Sequence, residues 1–255
     1  AHRPAIIMPL LALTAIELFA NAHVIWNQLY TGYSEEANSA YVATATNTIT
    51  AIQGQDSAPF YRIDRTITRA DSAALNEGLA LGYNQLSSYS SANNPQAIAL
   101  LNSLGYSSVG EFSTRYAEPI LAVDALLGVK YAIAEHAPAG YVSAKTNLAG
   151  STSAVYKNPY ALSIGVAASS DIQNSTLKIE NPFEKQNDLY SKILGREVKL
   201  YTKIEATSTE NSESLKQWSV TVPASSIGYL YINKDVTAGS YWPVALTIDQ
   251  RTIEN

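Results

Sequence analysis

The chain has 255 residues, a formal net charge of −5 and no cysteine. The missing thiols exclude disulfides, thiolate metal sites, iron–sulfur clusters and cysteine nucleophiles. Apolar residues make up 46%, enough to line a core, and 17 Lys+Arg against 22 Asp+Glu argue against the basic footprint of a general nucleic-acid binder.

The chain opens Ala1-His2-Arg3-Pro4 and reads as a piece excised from a longer protein, with no signal peptide visible. Ala5 to Ile16 is apolar, but a spanning helix needs about 20 residues, and Pro9, Glu17, Asn21 and His23 interrupt the stretch. The stretch therefore reads as a buried strand or short helix rather than a transmembrane span, and Leu10 to Phe19 fits a strand buried on both faces. Ser34 before Glu35-Glu36 marks a helix start, and Ala37, Ala40, Tyr41, Thr44, Ala45, Thr48, Ile49 and Ile52 follow at helical spacing up to Gly54. Pro59 to Ile67 reads as a strand. Asn76 to Ser91 (NEGLALGYNQLSSYSS) has no clean period and reads as an irregular, active-looking loop.

Asn94-Pro95 opens a helix that ends at Gly105, and Pro119 opens another that closes at Gly128. Val129 to Ala134, Val155-Tyr156 and Ala161 to Ala168 are strand candidates, the last two separated by the turn Lys157-Asn158-Pro159. Asn181-Pro182-Phe183-Glu184 starts a helix running to Gly195. After that the period switches from 3.6 to 2: Glu197–Ala206, Lys216–Val222, Gly228–Asn233 and Tyr241–Ile248 alternate, as antiparallel strands do. The expected fold class is α+β or α/β. A mixed α/β domain over 1–178 is followed by a helix and a smaller, sandwich-like antiparallel β domain over 179–255. Four strands make a thin sandwich, so it either pairs with the first domain or continues past Asn255.

Few constellations carry chemistry. Glu17, Asp64, Asp71, Glu118 and Asp124 are the acids nearest predicted core elements, and a glycosidase would need two of them about 5–10 Å apart. Glu17 is the oddest, because it ends an apolar run. In Arg62-Ile63-Asp64-Arg65 the arginine forks suit phosphate or carboxylate, although a strand-borne Arg more often pairs internally. Lys130 in VKYAIA is a similar case. His2, His23 and His136 lie far apart without HExxH, and GxSxG, GxxxxGK[ST] and strand-linked GxGxxG are absent, so no metal or cofactor is expected. The 17 tyrosines against 4 Phe and 3 Trp, with abundant Asn, Ser and Thr, suit an extracytoplasmic bacterial surface. Tyr83, Tyr89, Tyr156, Tyr160 and Tyr190 could stack on sugars or fill the core.

FYRIDRTITR, NEGLALGYNQLSSYSS, LLGVKYAIAE, VYKNPYALSIGV and NPFEKQNDLYSKILG follow one another in the order and spacing of the extracytoplasmic region of YfhO-like bacterial membrane proteins. The chain resembles that family over roughly residues 10–200. The resemblance implies a polytopic membrane protein of the GT-C glycosyltransferase type, which adds sugars from a polyprenyl-phosphate carrier to cell-wall polymers such as lipoteichoic acid outside Gram-positive cells. It puts the catalytic acid and the carrier lipid in the membrane part. To this chain it leaves acceptor recognition or support of the membrane active site, on the outer face of the cell membrane. The partners implied are the protein's own transmembrane region and an anionic cell-wall glycopolymer. Carried over by motif, the candidate binding residues are Arg62, Asn76, Tyr83, Asn84, Ser91, Lys130 and Asn158. Of these, Asn158 before Pro159 suits a turn, and Lys130 suits pairing with an acid on a neighbouring strand. The alternatives are an extracellular carbohydrate-binding or adhesion module without catalysis, and a secreted hydrolase using two acids.

Overall fold

The computed structural model describes residues 3–29, 35–66, 75–109, 112–144, 146, 153–175, 181–211, 216–224, 226–231, 246–248 and 251–253. Together they form a mixed α+β fold of helices and several small sheets.

Helix α1, Arg3–Leu29, replaces the strand expected over Leu10–Phe19. A continuous apolar run reads equally as a buried strand or a spanning helix, and length decides. At 1.5 Å per residue, 27 residues reach about 40 Å. The polar interruptions are absorbed within the helix. The Thr14 hydroxyl donates to the Leu10 carbonyl at 3.0 Å, and Asn27 Nδ2 lies 2.9 Å from His23 Nε2 one turn back. Ile7–Asn27 is apolar and long enough to cross a membrane, and none of it is buried.

Helix α2 (Glu35–Gln55) carries the amphipathic pattern read from the sequence. Ala45, Thr48, Ile49 and Ile52 are its buried residues, spaced i, i+3, i+4, i+7 along one stripe. Gly54 lies inside the helix rather than beyond its end. The stripe packs on a four-stranded sheet of order β1-β5-β7-β6, formed by Arg62–Arg65, Val129–Ala134, Ala154–Lys157 and Val142–Ser143. Strands β1 and β5 are parallel, with Ile63 opposite Tyr131, and the other pairs are antiparallel. Side chains alternate faces along a strand. Tyr131 and Ile133 of β5 join Ile49, Ile52, Ile63 and Val155 in one core cluster. Ala132, on the opposite face, joins a second cluster with Leu104, Tyr106, Tyr116, Val123, Tyr141 and Leu189, and so does Val129, which the register shift opposite Arg62/Ile63 takes out of the alternation.

That second cluster is roofed by helices. α4 (Pro95–Ser103) is capped by Asn94, whose side chain accepts from Gln96 N at 2.9 Å. α5 (Leu121–Leu127) closes on Gly128 at φ 71°. α6 (Pro182–Leu194) is capped by Asn181, which accepts from the amides of Phe183 and Glu184. Leu189 of α6 enters the cluster, Gln186 Nε2 donates to the Leu104 carbonyl at 2.9 Å, and the Tyr190 hydroxyl donates to the Ala122 carbonyl at 2.6 Å.

The stretch read as an irregular loop holds helix α3 (Glu77–Leu81) and strand β2 (Ser88–Tyr89). β2 pairs with β4 (Ser113–Arg115), which also pairs with β3 (Ser107–Val109). Ala161–Ala168 is not a strand, and neither are the segments 197–205 and 228–231. In 197–205 the alternation serves a different end. The Asn187 side chain on α6 holds the amides of Leu200 and Tyr201, and Ser191 holds Val198. Tyr201 also packs with Phe183 and Tyr229. The β period is realised in β8 (Ala206–Asn211) with β9 (Lys216–Val220), and in β10 (Leu246–Ile248) with β11 (Arg251–Ile253). Residues 232–245, and with them most of the last two predicted strands, lie outside the described residues.

Candidate functional site

An open cleft of about 550 Å³ lies between the end of α2, the segment leading into β1, and α3. That volume falls within the usual range for small-molecule sites. Its floor begins at Asp56, where α2 stops. The Asp56 carboxylate accepts from the Ala58 amide at 3.0 Å, folding the chain back through Pro59. It also accepts from the Tyr131 hydroxyl at 2.8 Å and holds Lys130 Nζ at 2.6 Å. Burial pushes the carboxyl up, but the bonds from Lys130, Tyr131 and Ala58 together outweigh it and hold it at about 2. Asp56 is thus ionised throughout the physiological range.

Aromatic rings form the walls. Phe60, Tyr61 and Tyr83 all line the cleft. Tyr61 meets Tyr131 edge-on, ring centroids 5.6 Å apart, which fixes its plane. The Tyr83 hydroxyl donates to Glu77 Oε1 at 2.8 Å. Glu77 in turn pairs with Arg65 at 3.1 Å and accepts from the Tyr41 hydroxyl, tying α3 to β1 and α2. Burial, reinforced by Glu77, pushes the Tyr83 phenol far above its ordinary value, so it stays a neutral donor. Gly82, with φ 75°, ends α3 and turns the chain back to Tyr83 with open space beside it.

The sequence candidates separate in space. Tyr83 and Asn84 line the cleft. Lys130 stands behind it, bound to Asp56 and 5.5 Å from the Tyr61 ring centroid. Its acid partner is the residue following α2, not one on a neighbouring strand. Arg62 lies over the Phe60 ring at 4.9 Å and donates to the Leu127 carbonyl. Asn76, Ser91 and Asn158 are not among the lining residues. Asn76, at φ 65°, exchanges two hydrogen bonds with the Tyr89 backbone. Asn158 is buried and shapes a turn, accepting from the Tyr160 amide at 2.9 Å. Ser91 is exposed in a turn.

Two of the candidate acids, Asp64 and Asp124, are spent on hydrogen bonds inside the fold. Asp64 is saturated by the amides of Arg65, Leu86 and Ser87 and by the Ser87 hydroxyl. Asp124 is enclosed by the hydroxyls of Tyr106, Tyr116 and Tyr141. Neither lines the cleft. Glu17 sits within α1, and Asp71 lies outside the described residues. Among the described residues no group of three His, Cys, Asp or Glu could hold a metal.

Sequence reasoning missed Asp56 itself. The available signal was the local Asp-Ser-Ala-Pro stretch after a helix end, where an Asp side chain turns its own backbone. Its bond to Lys130 joins residues distant in sequence and could be seen only in the fold.

The family described as "Bacterial membrane protein YfhO" matches residues 1–249, nearly the whole chain. No curated protein and no solved structure matches it significantly. The chain belongs to the YfhO family of bacterial membrane proteins.

Proposed function

We propose that this YfhO-family chain is the extracytoplasmic part of a polytopic bacterial membrane protein, and that it recognises or supports the acceptor in lipid-linked sugar transfer to a cell-wall polymer of the lipoteichoic acid type. The observation that carries this reading is the placement of the cleft. An exposed apolar helix, α1, leads through α2 to a folded body, and the cleft lies at the far end of α2. With 21 residues, α2 is about 31 Å long. The cleft is therefore a helix length away from the first turn of α2, a position suited to a polymer acceptor rather than to a lipid carrier held in the bilayer. Family membership supports the membrane setting. Family membership is what favours this reading over an extracellular carbohydrate-binding or adhesion module.

The test is made in a bacterium carrying the full-length gene. Deleting the gene, with the carrier-lipid pathway intact, is expected to strip sugar from purified lipoteichoic acid. Unchanged sugar content would overturn the reading.

A further inference from the structure

We propose that the cleft between α2, β1 and α3 binds an uncharged sugar unit rather than the phosphates of an anionic polymer. This rests on the reading of the chain as an acceptor-recognising domain and names the part of the acceptor that it takes.

Among the residues lining the cleft only Asp56 is charged, and it is negative. The cations around it are already engaged: Lys130 by Asp56, Arg65 by Glu77, and Arg62 by the Leu127 carbonyl and the face of Phe60. A phosphodiester entering the cleft would meet a carboxylate and, among the lining residues, no cation. The whole chain, at −5, offers no compensating field. A cationic ligand fares little better, because both Asp56 oxygens already accept from Ala58, Tyr131 and Lys130.

What the walls do offer suits a neutral polyol. Phe60, Tyr61 and Tyr83 present apolar ring surface for sugar C–H groups. Between the rings stand neutral hydrogen-bonding groups. Gln53 and Asn84 use amide N–H groups on the carbonyls of Gly82 and Tyr61, so what each keeps for a ligand is its amide oxygen, an acceptor. Ser57 is exposed in the same cleft. Apolar faces with a few fixed neutral donors and acceptors are the usual make-up of a pocket that orients an uncharged ligand.

The experiment uses the full chain in detergent micelles and three probes: maltotriose, chitotriose and a glycerol-phosphate oligomer. Each is followed by saturation-transfer NMR and calorimetry at low and high salt. At least one neutral trisaccharide is expected to bind saturably, with an affinity that moves less than about twofold with salt, since no charge pair is screened. Ser57→Trp, which fills the cleft from an exposed position, should abolish binding. Asn84→Ala should weaken it about tenfold, as for one lost hydrogen bond, with each variant's melting temperature confirming its fold. Three results would overturn the inference: no binding of either neutral probe, binding that survives Ser57→Trp, or binding of the glycerol-phosphate oligomer alone. The last would leave the acceptor reading intact. Conversely, sugar binding in a protein whose gene deletion leaves lipoteichoic acid unchanged would keep this inference and sink the functional reading.

Discussion

Three tyrosine hydroxyls converge on Asp124, a fully buried residue of α5. Burial pushes its carboxyl up to about 7 from 3.8, against the pull of the three hydroxyls in the other direction. Asp56 is held low, at about 2, so the two carboxylates act in separate pH windows. A folded-state acid with a raised pKa keeps a proton that the unfolded chain has lost, so stability falls as pH rises from about 4 to about 7. A shift of this size corresponds to something on the order of 4 kcal/mol. In Asp124→Asn this part of the pH dependence should vanish. The check is the urea midpoint in detergent near both ends of that window, for the chain and the variant. An equal midpoint difference in both would refute the assignment. Asp56 contributes the opposite slope only at more acidic pH, where stability is lost as its carboxylate protonates.

At the scale of elements, local chemistry was legible and tertiary chemistry was not. Asn94-Pro95 and Asn181-Pro182 announced α4 and α6, because cap and first turn lie within four residues of each other. Asn181→Ala should remove the side-chain oxygen that accepts from two amides and cost about 1 kcal/mol. A urea titration should show a lower midpoint at unchanged slope; an unchanged midpoint would mean that packing of Leu189 and Tyr190 alone holds α6. By contrast, β2, β3 and β4 are two or three residues long, too short to show a period. In 197–205 the alternation was real, but Asn187 and Ser191 on α6 took the backbone groups that a partner strand would have used. The site divided in the same way. Tyr83 and Asn84 came from a recognisable stretch, whereas Asp56 acquires its meaning from Lys130 and Tyr131, more than seventy residues away.

For the whole molecule, 21 consecutive residues of α1, Ile7–Asn27, are apolar enough for a bilayer and none of them is buried in the protein. Leu10, Leu11, Leu13, Ile16, Leu18, Phe19 and Trp26 are all more than half exposed. In water that much apolar surface would be costly, at about 25 cal/mol per Å². In a bilayer that cost disappears, and a helix satisfies its own backbone there. Glu17, near the middle of the stretch, is the expensive position, and Thr14 and Asn21 stand on the same face at helical spacing. A face of this kind belongs against protein or a polar cavity, and the leucine-rich remainder against lipid. The expected behaviour follows from that asymmetry. Expressed in bacteria, the chain should partition with the membrane fraction and resist alkaline extraction. Leu13→Arg with Leu11→Arg, each costing about 2.5–3.5 kcal/mol near a helix centre, should release it. Glu17→Gln should leave it in the membrane. Release of the unaltered chain by alkali would mean that α1 is covered by protein rather than lipid.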